Sequence, residues 1–117
     1  MTITFDKREI PPYGQFVSND KLVIGETYFH VTYVDQDMLI PTVSSLVYIG
    51  RNLGNDEVNR LYFQDVDSYF DGLRITDENP DPNSMRLESF PEDSPSVFEF
   101  DYALESLMLC SLRRKAK

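Results

Sequence analysis

Hydrophobic residues recur along this chain mostly at every second position, in short runs broken by Gly, Pro, Asn and Asp, which is the pattern of strands and turns. The clearest run covers residues 21–35. There Val23, Phe29, Val31 and Tyr33 share one face of an extended chain, while Glu26, His30 and Thr32 share the other. Gly25 marks a bend or bulge inside it. Residues 39–49 read as a second strand with Leu39, Val43, Val47 and Ile49 in phase, and Pro41 puts that strand at an edge or delays its regular part. Val43, Leu46 and Val47 also fit helical spacing, but Gly50 and the β-branched content decide for a strand. After a turn of hairpin type over residues 51–56, residues 60–64 pair back with Leu61 and Phe63 pointing inward.

Shorter alternations follow. Leu73 and Ile75 flank Arg74, and Met85, Leu87 and Ser89 alternate with Arg86 and Glu88. Residues 76–83, rich in Asp, Asn and Pro, form a loop, and residues 91–95 form another. Paired prolines make residues 10–14 an extended entry segment. Near the C-terminus two periods compete. Phe98, Phe100 and Tyr102 alternate with acids, whereas residues 103–112 place Leu104, Leu107, Met108 and Leu112 on one helical face. Asp101 would cap this helix and the basic residues 113–117 would complement its C-terminal dipole, so the segment is read as strand and then helix.

The expected fold is mainly β or α+β: a small twisted antiparallel sheet, or an SH3-like barrel, with one C-terminal helix. It has at least four strands, including residues 21–34 and 60–64, and buries Phe29, Val31, Leu61, Phe63 and Leu107. With 117 residues, one domain is expected. It divides into an extended segment over 1–20, a β-rich core over 21–100 and a helix over 101–115.

Composition narrows the function. Hydrophobic residues make up 41% of the chain, enough for a real core. The net charge of −9 argues against nucleic acid, which needs a clustered basic face. The charge is concentrated: residues 65–105 hold twelve acids against only Arg74 and Arg86. No apolar run approaches the ~20 residues of a membrane helix. The first seven residues lack the order of a signal peptide, and Cys110 has no second cysteine to pair with, so the expected location is the cytoplasm.

Catalytic chemistry finds little support. Residues 67–78 imitate a calcium loop, with acids at positions 1 and 5, Gly72 at 6 and Glu78 at 12. Tyr69 stands where an oxygen ligand is needed, and Arg74 where an apolar residue normally pairs loops, so Gly72 is read as a positive-φ turn instead. Asp35 with Asp37, and Asp65 with Asp67, are read as solvated turn acids. His30 is the only histidine, which excludes a multi-histidine metal site, and it is read as a half-exposed residue opposite the core face. Cys110, among Leu107, Met108, Leu109 and Leu112, is read as a core thiol. No catalytic residue, metal or cofactor is assigned.

One concentration remains. Residues 61–72 carry four aromatics and three acids. If Leu61 and Phe63 point inward, Tyr62 lies on the opposite face, and Tyr69 and Phe70 fall in or near a turn beside Asp65, Asp67 and Asp71. Aromatics beside acids suit a basic partner. The expectation is a non-enzymatic module docking a basic protein through Tyr62, Asp65, Asp67, Tyr69 and Asp71, of which a bacterial immunity protein facing a basic nuclease toxin is the most concrete form. The rivals are a small β-barrel using Tyr28, His30 and Tyr62 on an interior ligand, and a subunit of a larger assembly. An enclosed apolar pocket of roughly 300 Å³ or more would favour the barrel.

Overall fold

Four antiparallel strands lie side by side in chain order: β1 (Thr27–Tyr33), β2 (Pro41–Arg51), β3 (Arg60–Asp65) and β4 (Leu87–Pro91). The computed structural model describes residues 1–6, 9–12, 14–54, 59–81 and 83–117; the expected features over 10–14, 51–56 and 76–83 lie partly outside these. A short helix, α1 (Val66–Phe70), follows β3 directly, and a C-terminal helix, α2 (Phe100–Lys115), ends the fold.

The register explains which residues form the core. In β1 and β2, Tyr28 stands opposite Leu46 and His30 opposite Ser44. Tyr48 meets Phe63 across β2 and β3, with an irregularity between Tyr48 and Gly50 where the ladder skips Ile49. Phe63 and Leu61 oppose Glu88 and Phe90 on β4. All these side chains share one face, and Val17, Tyr28, Leu46, Tyr48, Leu61, Phe63 and Val97 are buried there. The Phe63 ring is the hub, edge-on to Tyr28 at 6.4 Å and to Phe90 at 5.5 Å, and tilted against Tyr48 at 5.4 Å. Fully burying such a ring contributes about 1.5–3 kcal/mol, and truncating it to Ala costs about 3–5 kcal/mol because a cavity is left.

The sheet is curled into a half-barrel. β1 and β4 are its two outer strands, yet the His30 and Phe90 rings meet edge to face at 5.0 Å. On the outer edge of β1, Phe29 and Phe98 exchange both backbone hydrogen bonds, at 2.9 and 2.8 Å, and the Val17 N–H donates to the Val97 carbonyl. This cover satisfies part of an edge that would otherwise be open. Gly14 fits the same region because a Cβ there would lie 2.7 Å from Ser106 Oγ and 2.8 Å from the Phe98 ring.

The opposite face is packed as well, which corrects the expected facing of β1. Tyr28, not Phe29 or Val31, points into the main core; Phe29, Val31 and Tyr33 are half-buried on the other side, where Phe100 of α2 meets Phe29 at 5.5 Å. Val23 precedes the strand and is exposed. In β2 the residues that reach the main core are Leu46 and Tyr48; Val47 is buried on the second face and Val43 is exposed. Leu61 and Phe63 are buried as expected. Residues 73–75 form no strand, because β4 takes the place beside β3 and leaves 66–86 as a helix and loop. The C-terminal helix begins at Phe100, so only Phe98 of the expected alternating strand pairs. Its N-cap is Glu99, with Asp101 in the first turn, and Arg113, Arg114 and Lys115 occupy the last turn. Leu107 is half-buried, and the residues α2 buries are Ala103, Glu105, Ser106 and Cys110. No helix among the described residues is long and apolar enough to cross a membrane.

Candidate functional site

The segment running from β3 through α1 separates the residues that its composition groups together. Tyr62 points away from the main core but is buried rather than presented to solvent. Its hydroxyl lies where a Cβ on Gly54 would clash, so the ring is packed against that backbone. Gln64, fully buried on the same face, donates from Nε2 to Ser68 Oγ and to the Leu73 carbonyl, both at 2.9 Å, and so fastens α1 and the following loop to the sheet.

Asp65 is not a solvated acid. It is the N-cap of α1, its Oδ2 accepting from the Ser68 N–H at 3.0 Å. Its Oδ1 accepts from Ser68 Oγ at 2.6 Å and from the Arg86 N–H at 2.7 Å, which ties α1 to the approach of β4. Partial desolvation pushes this carboxyl up, but the hydrogen bonds from Ser68 and Arg86 together outweigh it and hold the group below its ordinary value. Asp35 is likewise committed, accepting from the Leu39 and Ile40 N–H groups to close the β1–β2 turn.

Tyr69 is half-buried beneath Arg74, whose guanidinium carbon lies 3.6 Å from the ring centroid and which donates to the Tyr69 and Leu73 carbonyls. That arrangement occupies one of the two bases in the acidic stretch. Asp67 and Asp71 are exposed, and neither carboxylate makes a hydrogen bond or ion pair among the described residues. Between them Phe70 stands 69% exposed, its ring edge-on to Tyr69 at 5.5 Å. Phe70, expected in or near a turn but not among the expected contact residues, is the aromatic that this stretch presents to solvent. The signal was available, since Asp65-Val66-Asp67-Ser68 can cap a short helix, and such a helix turns Phe70 away from the sheet that takes Phe63.

The calcium-like loop is built differently from a metal site. Its first residues lie in α1, Gly72 takes φ 91°, and Asp77 Oδ2 accepts from the Arg74 N–H at 2.9 Å. Among the described residues no group of three or more His, Cys, Asp or Glu side chains comes together. Cys110 is buried, with Sγ 3.5 Å from the Met38 carbonyl oxygen.

The residues proposed for an interior ligand also part company. Tyr28 and His30 share the concave face, while Tyr62 lies behind it. The Tyr28 hydroxyl accepts from the Val23 N–H at 2.9 Å, and burial raises its pKa. His30 lies on the concave face itself, a correction to its expected outward position, with Nδ1 3.6 Å from Glu88 Oε2. Aromatic rings fill this face. A groove of about 350 Å³ lies on the other side of β1, between Phe16, Val31, Tyr33, Phe98 and Leu109, but it is half open and not the enclosed pocket a barrel ligand would need. Comparison of the chain with protein-family models, with curated proteins and with solved structures finds no match in any of the three.

Proposed function

We propose that this protein is a non-enzymatic binding module that docks a basic protein partner through Phe70 and its flanking acids, Asp67 and Asp71. The observation that carries the reading is a large apolar ring held in solvent between two carboxylates with no internal partner among the described residues. Interface hot spots combine an aromatic anchor with a polar rim, and Phe70 with Asp67 and Asp71 has that form. Tyr69 supports the anchor from behind, whereas Tyr62 and Asp65 hold the scaffold. The surrounding loop adds exposed Asp77, Glu78 and Asp81, extending one sign of charge over the approach. An immunity protein that captures a basic toxin is the most concrete form of this activity.

The test immobilises the whole chain and captures partners from an extract of the source organism, beside the variant Asp67→Lys/Phe70→Ser/Asp71→Lys. The expected result is a basic partner taken by the unaltered chain and lost by the variant. Its association rate falls as salt rises from 0.01 M to 0.1 M, where the screening length shrinks from about 30 to about 10 Å. Capture of the same partner by both proteins, at a rate indifferent to salt, would falsify the reading.

A further inference from the structure

The C-terminal helix is turned the wrong way round for a chain that stands alone. An amphipathic helix normally faces its large apolar residues to the core. In α2 the buried positions are small or polar, Ala103, Ser106 and Cys110 among them, while Phe100, Leu104, Met108 and Leu112 are 62, 45, 54 and 61% exposed. These four recur at every fourth residue and so form one continuous row, about 18 Å long at ~1.5 Å per residue. Single exposed apolar residues are ordinary; a contiguous row of large ones marks a surface that is covered in use. The row continues sideways into a shallow groove lined by Leu107 and Pro41 and flanked by Arg114 and Lys115.

We infer that this face of α2 packs against α2 of a second copy of the chain, antiparallel and related by a two-fold axis. Charge selects the occupant. Glu99 and Asp101 are exposed at the start of the helix, and Arg114 and Lys115 are exposed at its end. An antiparallel copy sets each acidic start beside a basic end, twice over by symmetry, and brings Leu104 of one chain onto Met108 of the other. A parallel copy would oppose like charges at both ends. The chain as a whole carries −9, so two copies repel over most of their surfaces. Residues 99–117, with four bases against three acids, are where that repulsion is relieved. The surface is separate from Phe70, Asp67 and Asp71, and the inference stands whether or not those residues dock a partner.

Sedimentation of the purified chain over a dilution series tests it. The expected species is twice the chain mass of 13.6 kDa, dissociating on dilution. Leu104→Glu/Met108→Glu, at positions already exposed, is expected to sediment as a monomer with an unchanged far-ultraviolet dichroism spectrum. In a Leu104→Cys/Met108→Cys variant, mild oxidation is expected to link 104 of one chain to 108 of the other. A monomer at every concentration, a dimer that survives the two glutamates, or 104–104 and 108–108 links in place of the mixed one would each overturn the proposal.

Discussion

His30 and Glu88 sit on the two outer strands of the sheet, yet Nδ1 of the one lies 3.6 Å from Oε2 of the other. Between strands 4.7–4.9 Å apart, a flat four-stranded sheet would hold these edges roughly 14 Å from one another. Their meeting is therefore a measure of how far the sheet has curled. Arg86 Nη2 donates to Glu88 Oε1 at 2.7 Å, and the Phe90 ring flanks the imidazole, so the edge-to-edge contact is made by a small group of side chains.

Removing the imidazole is expected to loosen this closure. His30→Ala loses the edge-to-face contact with Phe90 as well as the approach to Glu88. An aromatic pair contributes about 0.5–1.5 kcal/mol beyond its buried area, so a total loss of about 1–2 kcal/mol is expected by urea denaturation. His30→Phe keeps the ring and is expected to recover most of it. If His30→Ala unfolds at the same urea concentration as the unaltered chain, the two edges are not held together by this contact.

Asp65 gives the fold an acid-sensitive joint. Against the desolvation that would raise it, hydrogen bonds from Ser68 and Arg86 hold its carboxyl below the ordinary aspartate value, so it binds protons less readily when folded than when unfolded. The stability it contributes is therefore complete above that value and is lost as pH falls through the lower folded pKa. Asp35 and Asp81 are shifted in the same direction, Asp35 because the Leu39 and Ile40 N–H groups outweigh its desolvation and Asp81 because Ser84 and Asn83 donate to it. Melting temperature is expected to be level near neutrality and to fall below about pH 4. Asp65→Ala is expected to cost about 1–2 kcal/mol at pH 7 through loss of the cap, and Asp65→Asn to flatten the acid limb. A mutant whose melting curve still tracks the unaltered chain through that limb would remove Asp65 from the account.

Much of this architecture is legible in the alternation of residues. β3 is the clearest case, because Leu61 and Phe63 sit on a central strand whose neighbours cover both sides. β1, an outer strand, misleads because both of its faces are packed: Phe29 and Val31 advertise the α2 side, while the main core is reached by Tyr28, an amphipathic residue whose hydroxyl accepts from the Val23 amide. His30 reads as an outward polar position because Glu88 and Phe90, which meet it only when the sheet curls, lie far along the chain. Leu104, Met108 and Leu112 are visible as part of one helical face, there grouped with Leu107 while Phe100 reads as strand, but periodicity carries no sign, and small Ala103, Ser106 and Cys110 let the helix approach β1 with its other side. The acids are hardest to sort. Asp65 and Asp67 look alike in the chain, and only the cap separates a structural carboxylate from a free one.

Gly14 is expected to be intolerant of even a methyl group. A Cβ there would meet Ser106 Oγ at 2.7 Å and Phe98 carbons at 2.8 and 2.9 Å, and Phe98 is fixed by its backbone pairing with Phe29. Gly14→Ala is expected to destabilise by about 1–3 kcal/mol, the usual range for overpacking. Adding Ser106→Ala removes one of the two collisions and is expected to return only part of the loss. Full recovery in the double variant would mean that the Phe98 ring moves aside freely.

The three acids of the Asp65–Asp71 stretch are expected to divide sharply under charge reversal. Asp67 and Asp71 are exposed and make no internal bond among the described residues, so Asp67→Lys/Asp71→Lys is expected to change stability by no more than about 0.5 kcal/mol. Asp65→Lys removes the acceptor for the Ser68 and Arg86 amides and brings a cation to the positive end of α1, so a loss above about 2 kcal/mol is expected. Association with a basic partner should show the reverse order of usefulness. The Asp67/Asp71 variant isolates the docking surface because its fold is intact, and a slowing by a factor of about 10 or more at low salt is expected from lost steering. Melting curves measured beside the association rates keep the two effects apart. An Asp67→Lys/Asp71→Lys protein that melts well below the unaltered chain would show that these carboxylates also belong to the scaffold, and the docking surface would then reduce to Phe70.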